Sequence, residues 1–298
     1  MEHVRVYEAP RLRDGVLIAA FAGWNDAAGV ATWAVRFLVE QWGAVKCAEI
    51  DPEEFFVFTE TRPQVKLVEG SYRRIVWPAN EFFYHRSPSM PRDYLVLLGI
   101  EPHLRWKTFA QAALGFAREC GVEMVISLGG LLADVAHTLP VRISGTASDS
   151  RLAGQLRLLR VELSRYEGPT GIIGVLNATC RDEGIPAASL WGGVPHYIAA
   201  TPNPKVSLGL LDTLDRLLGL GLDLTGLERL VPAFETQVNE AVAQNPQVAA
   251  YVRQLEEREK KDEEEATAEP PELPSGEAIV KELEEFLRRR RKNGGEGD

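Results

Sequence analysis

The sequence has little of what a secreted, membrane or metal-built protein needs. It holds three cysteines, Cys47, Cys120 and Cys180, far apart and with no C-x-x-C pair, which excludes a disulfide framework and a cysteine-bound zinc site and fits reduced, buried thiols. Its five histidines, His3, His85, His103, His137 and His196, fall into no H-E-x-x-H or related spacing, so no metal is expected. No apolar run reaches the length of about 20 residues that spans a bilayer, and the opening Met1-Glu2-His3-Val4-Arg5 has no signal-peptide core. The expectation is a cytoplasmic protein without membrane attachment. Positive charge is also short. Lys plus Arg total 33 against 43 Asp plus Glu, a net charge of −10, which argues against nucleic acid as a partner. G-x-G-x-x-G, Walker A and G-x-S-x-G signatures are all missing, so no dinucleotide, P-loop or hydrolase-elbow chemistry is indicated and no cofactor is expected.

What is present is an ordinary globular composition, 45% hydrophobic and 26% charged in 298 residues, enough to bury a large core. Residues 16–22 (VLIAAFA) read as a buried strand, then a Gly23 loop, then a helix over 27–41 with Asn25 or Asp26 at its N-cap. Residues 46–85 break into short β-type runs at 55–58, 65–68, 75–77 and 82–84, read as antiparallel hairpins attached to the main sheet. The α/β alternation then resumes. Strands are expected at 94–99, at 122–128 ending in Gly129-Gly130, at 141–144 followed by Gly145-Thr146, and at 187–191 ending in Gly192-Gly193. Helices are expected at 106–120 and 170–182. This pattern predicts a largely parallel sheet covered on both faces. From Pro204 the chain reads helical, with a break at Asn245-Pro246. The predicted organisation is an α/β core over 1–203 with a β-hairpin insertion near 46–85, a helical subdomain over 204–264, and a Pro-rich linker with an amphipathic tail helix over 265–298.

Three Gly-containing loops carry the candidate chemistry. In Gly23-Trp24-Asn25-Asp26, the loop amides face a potential ligand, and Asp26 reads either as a helix cap or as a base or ribose binder. Ser127-Leu128-Gly129-Gly130 ends a strand, where open α/β sheets bind ligands, or lets backbones pack closely. Gly145-Thr146-Ala147-Ser148-Asp149 reads as an anion nest or as a capped strand-to-helix turn. His137 and His196 follow Gly-rich strand ends and are the two histidines placed for acid–base work. The candidate ligand-binding set is Gly23, Asn25, Asp26, Gly129, Gly130, Gly145, Thr146 and His196, with no complete catalytic constellation.

These segments, together with Gly168-Pro169-Thr170-Gly171 and residues 187–197 followed by Pro202-Asn203-Pro204-Lys205, resemble the proteasome assembly chaperone 2 family in its prokaryotic form over residues 4–255. The resemblance implies a three-layer α/β/α sandwich similar to the phosphorylase/hydrolase-like fold of purine nucleoside phosphorylases. It also implies a homo-oligomer, a trimer, and a role without catalysis, since eukaryotic relatives help assemble proteasome α-rings. Related assembly factors end in a hydrophobic residue, a Tyr and one more residue. This chain ends Gly294-Gly295-Glu296-Gly297-Asp298, so proteasome subunits would have to be met through another surface. The tail stripe of Ile279, Leu283, Phe286 and Leu287 is the candidate for it. The alternative is a small-ligand enzyme of nucleoside phosphorylase/hydrolase type, working from the loops at the strand ends.

Overall fold

Residues 15–22 lie at the centre of the molecule because every side chain in the run is apolar and both sheet faces are covered. The computed structural model describes residues 2–68, 72–198 and 202–267. In chain order the elements begin β1 (Val4–Val6), β2 (Gly15–Ala22), a short 3-10 turn (Ala27–Gly29), α1 (Val30–Trp42), β3 (Val45–Ile50), β4 (Gln64–Val68), β5 (Tyr72–Val76), β6 (Asn80–His85) and β7 (Tyr94–Ile100). They continue with α2 (Trp106–Glu119), β8 (Val122–Ala133), β9 (Ile143–Ala147), α3 (Ser150–Leu158), β10 (Glu162–Leu163), α4 (Ile172–Asp182) and β11 (Ala187–Pro195). Four helices follow: α5 (Pro204–Leu218), α6 (Thr225–Glu228), α7 (Val231–Ala243) and α8 (Pro246–Thr267).

Among the described residues, one nine-stranded sheet has the order β1-β3-β6-β7-β2-β8-β11-β9-β10, and β4 and β5 form a separate two-stranded ribbon. The sheet is mixed, which corrects the expectation of a largely parallel one. Only β7, β2, β8 and β11 make a continuous parallel block. The strands β1, β3 and β6 join one side antiparallel, and β9 runs antiparallel to β11 on the other.

The period of two along β2 divides the core. Leu17, Ala19 and Phe21 face a layer built by α2 and α4, with Phe109, Ala113, Phe116, Ile173 and Leu176. Val16, Ile18 and Ala20 face α1, α3 and α5, through Val30, Ala34, Leu38, Leu156, Leu210 and Leu214. The result is three layers, α/β/α. Because α5 belongs to one of them, the run that starts at Pro204 first completes the α/β core. Ser207 Oγ donates to the Val30 carbonyl at 2.9 Å and ties α5 to α1.

Several local readings are corrected. Gly129-Gly130, Gly145-Thr146 and Gly192-Gly193 lie inside β8, β9 and β11, not in the loops after them. The reason is space: a Cβ on Gly129 would lie 2.4 Å from the Trp191 ring, and one on Gly130 would lie 2.5 Å from Val30. Residues 55–58 form turns, and Phe55 and Phe56 are pinned in the core by burial rather than by strand pairing. The helix expected from residue 27 starts at Val30, because Ala28 adopts a left-handed φ of 53° within the 3-10 turn. Of the two readings of residues 145–149 the capped turn is seen, with the Asp149 carboxylate accepting from Leu152 N at 2.9 Å as α3 begins. The chain divides into two compact units, Met1–Leu255 and Glu256–Asp298. Ile279, Leu283, Phe286 and Leu287 lie outside the described residues.

Candidate functional site

The parallel block brings the C-terminal ends of β2, β7, β8 and β11 to one edge of the sheet. There the loop after β2 folds inward. Asn25 is fully buried, and its backbone carbonyl accepts from Gly130 N at 2.8 Å, which seats the loop on β8. Asp26 extends this contact through an isolated parallel bridge to Gly130. Gly23 allows the turn at φ 124°. Gly23, Asn25, Asp26 and Gly130 therefore meet, with Gly129 next along β8.

Two participants were not among the candidate site residues: Glu101, one residue beyond β7, and Gly171-Ile172, the start of α4. Asn25 Nδ2 donates to Glu101 Oε1 at 2.6 Å, and Ile172 N donates to the same oxygen at 2.8 Å. A helix N-terminus favours an anion, and at α4 the chain's own carboxylate supplies it. Asn25 Oδ1 has no hydrogen-bond partner and faces Gly171, where a Cβ would lie 2.2 Å away. The signal that could have identified Glu101 was its position in Ile100-Glu101-Pro102, at a parallel strand's C-terminal end.

Asp26 caps α1 from a distance. Its Oδ1 accepts from Ala31 N at 2.7 Å, and its Oδ2 accepts from Thr32 N at 3.2 Å and from the Thr32 hydroxyl. Those amides lack carbonyl partners within the helix. Burial raises the Asp26 carboxyl above its ordinary value, while the hydrogen bonds from Thr32 and Ala31 pull it the other way. Every described polar contact of this carboxylate points back into its own helix.

Gly145 and Thr146 belong to a second group. They lie on β9, and β11 separates them from β8 and Gly130. Thr146 is in register with Ser189 of β11, and Ser189 with Ser127 of β8, so three hydroxyl residues form a row across the sheet. Thr146 Oγ1 and Ser189 Oγ are 2.7 Å apart, Trp191 Nε1 donates to Ser189 Oγ at 2.9 Å, and Ser127 Oγ donates to Asn177 Oδ1 at 3.2 Å.

His196 belongs to a third group at the end of β11. Its exposed ring has Nδ1 3.2 Å from Asp134 Oδ1, and Tyr251 donates to the same oxygen at 3.2 Å. The His196 ring meets Tyr197 and Tyr251 edge-on. His137 lies beside it and is buried. Its Nδ1 is 2.8 Å from the Tyr197 hydroxyl and its Nε2 is 3.0 Å from Asn239 Oδ1. Lys205 donates to the His137 carbonyl and to Glu235 Oε1, at 2.5 and 2.6 Å. The cavity here, bordered by His137, Lys205 and Phe234, measures about 20 Å³. That is room for a water molecule and not for a nucleoside. Larger cavities of about 650 and 480 Å³ are lined by residues outside the candidate set.

The three thiols are buried, and burial pushes each up to about 12, which leaves no cysteine nucleophile near neutral pH. Among the described residues no cluster of three or more His, Cys, Asp or Glu is arranged to hold a metal ion. No described helix is long and apolar enough to cross a membrane.

The profile of the PAC2 family matches residues 20–242. Among solved structures, a PAC2 family protein from Streptomyces avermitilis is 41% identical, with a TM-score of 0.74 over 80% of this chain and 100% of that one. The proteasome-assembly chaperone homologue Rv2125 of Mycobacterium tuberculosis is 38% identical, with a TM-score of 0.73 over 80% of this chain and 99% of that one. PbaB of Pyrococcus furiosus, described as an archaeal proteasome activator, shares the fold at 23% identity, with a TM-score of 0.65 over 80% of this chain and 97% of that one. A search of curated proteins finds no match.

Proposed function

The chain belongs to the PAC2 family, and from that premise we propose that it is a non-catalytic binding protein that assists proteasome assembly. The observation that carries this reading is the closed strand-end crevice. Glu101 occupies the anion position at the N-terminus of α4 and holds Asn25 beside it, so the edge that serves as a ligand site in open α/β sheets is filled from within. In this reading Gly23, Asn25, Asp26, Gly129 and Gly130 pack that crevice, and Gly145, Thr146 and His196 support the neighbouring strands. The descriptions of Rv2125 as a proteasome-assembly chaperone homologue and of PbaB as a proteasome activator support proteasome subunits as clients. The protein acts in the cytoplasm as a homo-oligomer, a trimer, and the tail residues Ile279, Leu283, Phe286 and Leu287 form its client-binding stripe.

The test is capture of proteasome α-subunits by the purified full chain, quantified by mass spectrometry and compared with a chain lacking residues 266–298. Reproducible recovery of α-subunits that falls on truncation is the expected result. A full chain that recovers only itself overturns the client assignment. A thermal-shift screen with inosine, adenosine and inorganic phosphate checks the non-catalytic half. No stabilisation is expected, and a dose-dependent rise in Tm with any of them overturns it.

A further inference from the structure

Among the described residues the β4–β5 ribbon makes no strand pairing with the nine-stranded sheet, and its Arg74, Ile75 and Val76 border a cavity with Glu49 and Glu81 of that sheet. A two-stranded ribbon is at best marginally stable in water on its own. This one nevertheless exposes apolar side chains along its length: Leu67 at 70%, Val65 at 62%, Tyr72 at 56% and Ile75 at 53%, with Trp77 just beyond at 46%. The antiparallel register places Val65 opposite Ile75 and Leu67 opposite Arg73, so these four share a face. Contiguous exposed apolar surface of this kind marks an interaction site.

Its charge says what fits against it. Residues 62–77 contain Arg62, Lys66, Arg73 and Arg74 against the single acid Glu69, a net +3 in a chain of −10. The other 282 residues therefore carry −13. Lys66 lies directly opposite Arg74, a like-charge pair that disfavours the ribbon until an acidic surface approaches.

We propose that the β4–β5 ribbon is the surface through which this chain binds a second copy of itself, docking on an acidic face of the neighbour. The proposal rests on the self-association reading above and gives it a geometry. A basic patch cannot meet its own copy across a two-fold axis without setting bases against bases. Ribbon against ribbon is therefore disfavoured, and the contact sets the ribbon on a different, acidic patch of the neighbour, an arrangement that a head-to-tail ring repeats at every interface. The ribbon's apolar face supplies the buried area and its bases supply the orientation.

The experiment is light scattering on size-exclusion fractions of the full chain, at about 0.05 and 0.5 M salt. The parent is expected to run as an oligomer whose mass falls at the higher salt. Val65→Ser/Leu67→Ser/Ile75→Ser is expected to run at one-protomer mass with an unchanged far-UV spectrum. Arg73→Glu/Arg74→Glu alters only exposed side chains and is expected to do the same, so the test stands if the triple variant fails to fold. A parent oligomer that both folded variants retain overturns the ribbon assignment and leaves self-association standing. A parent that is monomeric throughout overturns both.

Discussion

Replacing Asp26 with Ala tests whether the most conspicuous acid of the candidate site is a cap. The substitution removes the acceptor for Ala31 N, Thr32 N and the Thr32 hydroxyl at once. Loss of a helix-capping side chain costs typically about 1 kcal/mol and up to about 2. A buried amide left without an acceptor costs about 1–3 kcal/mol, and Ala31 is fully buried. Relief of carboxylate desolvation returns part of this, so the net expectation is a loss of about 2 kcal/mol. For a domain of this size that corresponds to a fall in Tm of about 4–8 °C. Asp26→Asn keeps one acceptor oxygen and should lose about half as much. The pH dependence has a defined sign. Because burial raises the folded-state carboxyl above its unfolded value, stability linked to this proton is fully present below the unfolded value and is lost as pH rises through the folded one. Asn does not titrate, so the Tm deficit of Asp26→Asn relative to the parent should shrink as pH rises above the ordinary carboxylate range. Scanning fluorimetry across that rise suffices. Asp26→Ala with an unchanged Tm refutes the cap, whereas a deficit of Asp26→Asn that grows with pH refutes the upward shift of the carboxyl.

Glu101→Ala should cost about 1–3 kcal/mol in chemical denaturation, because Asn25 Nδ2 and Ile172 N both lose their acceptor, whereas Glu101→Gln, which keeps an oxygen for them, should cost less; equal effects would mean that the carboxylate does not clamp α4. Gly129→Ala should lower stability by about 1–3 kcal/mol through overpacking against Trp191, and a neutral result would show that the indole moves aside freely. At pH 8 the native chain should show no fast-reacting thiol towards a chromogenic disulfide, with all three appearing on unfolding, since thiols held near 12 are about one part in ten thousand thiolate; one rapid equivalent in the native state would contradict their burial.

Much of the layer structure was legible because apolar runs and helical spacing are local signals. The runs at β2, β7 and β8 and the face of α2 needed no tertiary information. The glycine pairs misled because Gly is both a turn former and a space maker. Gly129-Gly130 and Gly192-Gly193 look like strand ends in sequence, yet they continue their strands, Gly129 and Gly130 admitting the Trp191 ring and Val30, and Gly192 admitting Val206. Whether a glycine ends a strand or makes room for a neighbour depends on what packs over it, and that neighbour comes from a distant part of the chain. Sheet order has the same origin. Nothing local in residues 143–147 says that β9 pairs antiparallel with the far side of β11, and the intervening β11 is what separates Thr146 from Gly130.

The candidate site resolves by the same logic. Loop position places Gly23, Asn25, Asp26 and Gly130 close together, because all lie towards the C-terminal edge of adjacent parallel strands. What decides whether such an edge is a pocket is the residue that reaches across it, here Glu101, from a strand whose sequence signal was purely apolar up to its last position. A carboxylate at that point does two opposite things to function. It satisfies the amide of Ile172 at the start of α4 and the amide of Asn25, which rigidifies the edge, and it places a negative charge where a phosphate or substrate carboxylate would have to sit. An anionic ligand would have to displace an internal hydrogen-bonded acceptor before gaining anything, so binding there starts from a deficit of two charge-assisted contacts. The exposed ribbon has the reverse economy: its apolar side chains are largely uncovered, so a neighbour that covers them displaces water rather than an internal acceptor. Between a crevice braced by Glu101 and an exposed ribbon, the larger uncovered apolar surface is that of the ribbon, and it is this surface that the proposed self-association covers.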